Sequence, residues 1–80
     1  MSDPIQEPTF GEKAVGLTFN PSGDPLVQSL KRRFANLVDE MNSFRNQPST
    51  SPEAKRLASI TITELQAAQM WAVKATTWRD

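Results

Sequence analysis

The chain has 80 residues, nine basic and nine acidic, and no cysteine, histidine or tyrosine. That length allows one domain with a marginal core, and the missing residues remove disulfides, thiolate zinc sites and the commonest general base. A formal net charge of zero disfavours a dedicated duplex-binding protein, whose affinity comes mainly from phosphate neutralisation, but leaves room for a small ligand with one or two phosphates.

Residues 1–23 read as a flexible, non-helical N-terminal arm. Pro4, Pro8, Gly11, Gly16, Pro21 and Gly23 interrupt the stretch too often for a regular element. Ala14 to Phe19 fits a short extended piece, and the first ten residues are expected to be mobile unless a partner pins them. The opening Met1-Ser2-Asp3-Pro4 lacks the pattern of a signal peptide, and no apolar run is long enough to span a bilayer.

A helical hairpin is predicted over residues 24–80. Its first helix, about 25–45, starts at Asp24-Pro25, an N-cap followed by a proline whose missing N–H costs nothing there. Val27, Leu30, Phe34, Leu37, Met41 and Phe44 follow in steps of three and four, the spacing of a lengthwise packing seam. The opposite face carries Lys31, Arg32, Asp39 and Asn42, which belongs in water or at a ligand. Asn46 to Thr50 then forms a polar turn, and so short a connection makes the two helices antiparallel.

The second helix, about 52–78, opens on Ser51-Pro52-Glu53: a hydroxyl cap, a proline at the first position and an acid in the first turn. It carries two apolar stripes, Ala58, Ile62, Leu65 and Ala72 on one side and Ile60, Ala67, Trp71 and Trp78 on another. One partner needs one stripe, so the second implies burial against other copies of the chain. Two helices alone bury too little to offset backbone entropy of roughly 1–2 kcal/mol per residue. Burying Ile60, Ala67, Met70, Trp71 and Trp78 between subunits supplies the balance, at about 1.5–3 kcal/mol for each large side chain. The fold class is therefore all-α: an antiparallel two-helix hairpin with an irregular arm, assembled as a homo-oligomer.

Catalysis finds little support. Asp39, Glu40, Glu53 and Glu64 do not pair on one helix face, no histidine activates the serines and threonines, and no metal-ligand set or cofactor motif is present. Lys74, among Ala72, Val73 and Ala75, reads as a lysine whose stem lies along apolar surface. Binding candidates are few. Lys31-Arg32-Arg33 is the single basic cluster, either a solvated face or a phosphate clamp; three adjacent residues span most of a turn, so at most two address one ligand. Phe19 and Asn20 pair a stacking ring with an amide able to read a base edge, or Phe19 simply anchors the arm. Gln66 and Gln69 suit a polar cavity or a subunit contact.

Residues 11–25, GEKAVGLTFNPSGDP, and residues 62–75, ITELQAAQMWAVKA, also carry a resemblance. They are similar to the small bacteriophage helical-hairpin sponges that counter the CBASS and Thoeris immune systems of bacteria, from about Gly11 to Trp78. The resemblance implies a homo-oligomer, typically a hexamer, acting in the cytoplasm of the infected host. Pockets between its protomers hold cyclic dinucleotides or related cyclic nucleotides without cleaving them. It further implies an arm aromatic that stacks on a base, matched by Phe19 with Asn20 beside it. A basic side chain of the first helix meets phosphate, matched by Lys31, Arg32 or Arg33. Two other readings compete: a non-enzymatic structural or adaptor protein gripping a protein partner, and a small transcription regulator, for which a basic face and a recognition helix are missing.

Overall fold

The computed structural model describes residues 7–80, which form three helices: α1 (Phe10–Val15), α2 (Pro25–Arg45) and α3 (Pro52–Thr76). The expected mobility of the first ten residues falls partly outside the described residues, since 1–6 are not among them.

Local capping starts the two long helices. The Asp24 carboxylate accepts the Leu26 N–H at 2.9 Å, and the Ser51 hydroxyl accepts the Ala54 N–H at 3.1 Å. Each satisfies an amide that the first helical turn leaves without a carbonyl. The turn between them closes when Thr50 Oγ1 donates to the Phe44 carbonyl at 2.8 Å. The helices run antiparallel: Arg45, ending α2, donates to Ser59 near the start of α3 at 3.0 Å, while Val27, near the start of α2, shares a cavity with Val73 and Thr77. α3 stops at Thr76 rather than 78. Thr76 and Thr77 turn their hydroxyls back onto the Ala72 and Val73 carbonyls at 3.0 and 2.7 Å, satisfying the last turn internally. Trp78 lies beyond the helix, its indole N–H donating to Asp80 at 3.1 Å.

The arm is not irregular throughout. Thr9 and Glu12 form a reciprocal capping box: Thr9 Oγ1 accepts the Glu12 N–H at 3.1 Å, and the Glu12 carboxylate accepts the Thr9 N–H at 2.8 Å. Six helical residues follow, ended by Gly16 in the left-handed conformation at φ 61°, with Leu17 N–H on the Glu12 carbonyl and Gly16 N–H on that of Lys13. Ala14 and Val15, expected in an extended piece, are helical.

α1 packs on α2 through Gly11, where an added Cβ would stand 2.1 Å from the Ala35 carbonyl oxygen. This contact rotates the core of α2. Its buried line is Val27, Lys31, Ala35 and Val38, whereas Leu37 and Phe44 of the expected seam stay 47% and 39% exposed. The apolar stripe marks what α2 can bury; two neighbours, α1 and α3, decide which part is covered. On α3, Ala58 and Ile62 are buried and Leu65 and Ala72 half-buried. The second stripe remains open, with Ile60, Met70, Trp71 and Trp78 between 44% and 69% exposed and Ala67 exposed beside them.

Candidate ligand-binding site

The polar face of α2 seats the arm. Asp39 accepts two bonds from the start of α1, from Thr9 Oγ1 and from the Gly11 N–H, each at 2.7 Å. Arg32 donates to the Glu12 carboxylate at 2.9 Å. Lys31, only 5% exposed, donates through Nζ to the Gly16 carbonyl at 3.0 Å and to the Phe19 carbonyl. The sequence places Lys31, Arg32 and Asp39 in water or at a ligand; the structure spends all three on α1 and the loop after it.

The Glu12 carboxylate therefore has two roles: it caps the Thr9 N–H and pairs with Arg32. The Thr9 N–H, then the Arg32 guanidinium, hold its pKa below the ordinary 4.5. A depressed carboxylate stabilises the arm fully above its unfolded value, and that stability is lost as pH falls through the lower folded value. We expect the Thr9 amide resonance, followed by NMR during acidification, to keep its capped shift through pH 4.5 and to lose it only below. A midpoint at or above the ordinary value would mean that the carboxylate does not hold the arm.

Beyond Gly16 the chain turns twice, with Phe19 N–H on the Gly16 carbonyl at 2.8 Å and Gly23 N–H on the Asn20 carbonyl at 3.0 Å. The turns project the Phe19 ring outward, 72% exposed, while Lys31 grips its backbone and stands 5.4 Å from the ring centroid. Asn20 is committed to the loop, its amide donating to the Asp24 carbonyl at 3.1 Å and accepting from Ser22 at 3.2 Å. Those bonds rigidify the platform but occupy part of the amide expected to read a base.

Two cavities meet at Phe19. The smaller, about 220 Å³, is bounded by Phe19, Asn20, Ser22, Val27, Lys31 and Val73. The larger, about 500 Å³, lies between α1 and α3, bounded by Lys13, Gly16, Phe19, Lys31, Gln66, Gln69 and Met70. Among the described residues, no carboxylate lines either, so the local field favours an anion although the chain is neutral overall. A hollow of similar size along α2 is lined by Asp39 and Glu40 and would repel phosphate. Phe19, Asn20 and Lys31 thus come together. Arg32 faces Glu12 instead, and Arg33 is exposed and lines none of these cavities. Lys13 and the two glutamines join the groove. The glutamines stand out in the sequence as polar breaks in an apolar helix, whereas Lys13 gives no signal until α1 is placed.

The burial of Lys31 separates two substitutions that look alike in the sequence. Lys31→Glu sets a carboxylate against the Gly16 and Phe19 carbonyls, so the arm should undock and amide exchange over residues 13–19 should accelerate. Arg33→Glu, on an exposed side chain, should leave that exchange unchanged. Equal behaviour of the two variants would contradict the clamp.

The helices thus hold an exposed ring and a sheltered ammonium around a groove that no carboxylate of the described residues lines. The chain belongs to the Acb2/Tad1 hairpin-domain family, whose model matches residues 12–77. That is the family of anti-CBASS and anti-Thoeris sponges, which are not enzymes. No curated protein and no solved structure matches the chain. Among the described residues, no helix is long and apolar enough to cross a membrane.

Proposed function

We propose that the protein binds and sequesters cyclic di- or trinucleotide immune messengers of the bacterial host, in pockets between protomers of a homo-oligomer, without cleaving them. It acts in the cytoplasm of the infected cell, with no requirement for cofactor, membrane or duplex nucleic acid. The observation that carries this reading is the presentation of Phe19. An aromatic ring left 72% exposed, on a loop clamped through its own carbonyl, is poised to stack on a base. Lys13, exposed on the border of the larger cavity, suits a phosphate of the ring, and the buried Lys31 adds its charge beside Phe19. A sponge needs binding energy and enclosure but no catalytic group, and the groove supplies surface for the first.

Enclosure comes from neighbouring copies in this reading. Ile60, Ala67, Met70, Trp71 and Trp78 form an exposed apolar face whose burial stabilises the assembly and walls the groove. Trp71→Glu should reduce the particle in sedimentation to the 8.9 kDa single chain; an unchanged particle would place the interface elsewhere.

The functional test is calorimetric titration with a panel of cyclic di- and trinucleotides and cyclic ADP-ribose isomers. Saturable binding, with intact ligand recovered after denaturation, supports sequestration. Absence of heat with every member would overturn it in favour of an adaptor that docks a protein on the Trp71 face.

A further inference from the structure

We infer that Gln69 selects the nucleobase, and that the groove between α1 and α3 takes an adenine in preference to a guanine. This rests on the sequestration reading above and assigns one side chain within it.

Gln69 is 6% exposed on α3 and lines the 500 Å³ groove together with Lys13 and Phe19. Among the described residues its amide makes no hydrogen bond, and no fully enclosed side-chain nitrogen or oxygen is left unpaired. The amide is therefore not sealed off, on a side chain that is otherwise packed and lines the groove. Such a group is held in place by its surroundings and lacks only a partner, and burial makes the choice of partner matter.

A primary amide offers a donor and an acceptor side by side. Adenine presents the matching pair, its N6 amine beside N7 or N1, and glutamine meets it with two bonds. On the edge bearing N7 and O6, guanine offers two acceptors, which leaves the amide oxygen facing a lone pair. On its other edge guanine carries a third polar group, the N2 amine, for which a single amide has no bond left. Enclosure beside Phe19 turns that unpaired amine into a penalty. Gln66, half-buried one turn earlier, borders the same groove and widens its polar wall.

The experiment compares cyclic di-AMP with cyclic di-GMP by titration against the wild type, Gln69→Glu and Gln69→Met. Wild type should prefer cyclic di-AMP by roughly tenfold or more, about what one good two-bond base contact supplies. Gln69→Glu keeps the shape but has only acceptors, which suit the N1 and N2 donors of guanine, so the preference should invert. Gln69→Met keeps the volume and removes both bonds, so the two affinities should converge. Gln69→Met also decides the matter if the carboxylate variant does not fold. Binding with the same ratio in wild type and Gln69→Met, or a wild-type preference for cyclic di-GMP, overturns the assignment and leaves sequestration standing. Failure of the wild type to bind any cyclic nucleotide removes the reading beneath it.

Discussion

Phe19→Ala should lower affinity for the cyclic nucleotide by about tenfold to a hundredfold, the range of one base–aromatic stack at about 1–3 kcal/mol. The melting temperature should barely move. The ring is 72% exposed and contributes little to the core, and the groups that hold the loop are the Phe19 carbonyl and N–H, which alanine retains. Paired titration and thermal unfolding check both halves. Normal binding would show that the ligand does not stack here, and a large loss of stability would show that the ring is an anchor. Phe19→Tyr should bind like the wild type, since it keeps the face.

Gly11→Ala adds a single methyl group and should have a large structural effect. The new Cβ would meet the Ala35 carbonyl oxygen at 2.1 Å and the Asp39 carboxylate carbon at 2.9 Å, closer than real atoms approach. Neither neighbour yields cheaply: one is helix backbone, and the other is the acceptor of both bonds that start α1. Overpacking of this kind costs typically about 1–3 kcal/mol, and moving α1 away also forfeits the hydrogen bonds to Asp39. The arm should therefore leave its seat while α2 and α3 stay paired. Amide exchange should rise over residues 9–19, and ligand affinity should fall although Phe19 is untouched. Retained protection in the arm with normal affinity would refute the close packing of α1 on α2.

These variants mark the border of what the sequence reveals. Asp24 and Ser51 are legible as caps because capping is local: a short acceptor, a proline and a free amide lie within a few residues. The helix of the arm was legible in principle through Thr9, Glu12 and Gly16, but the density of proline and glycine outweighs a six-residue signal. Its seat was not legible at all. Lys31 and Asp39 bond backbone atoms 12 to 28 positions away, and nothing in a polar residue's type tells whether it faces water or another segment's main chain. The same ignorance rotated the seam on α2. For the site, Phe19 and the basic cluster from Lys31 to Arg33 were readable as candidates, which of the three basic residues stands beside Phe19 was not, and Lys13 required α1 to be placed first.

The grip of Lys31 on carbonyl oxygens has a consequence for how such a protein changes over time. A carbonyl is the same whichever side chain follows it, so the clamp does not depend on the identity of the residue it holds. The tip of the loop can be exchanged while its seat is preserved, and recognition can drift without a matching change in the scaffold. Under the sequestration proposed above, this divides the labour: the lysine keeps the loop in place, and a change at position 19 alters what the loop presents without unseating it.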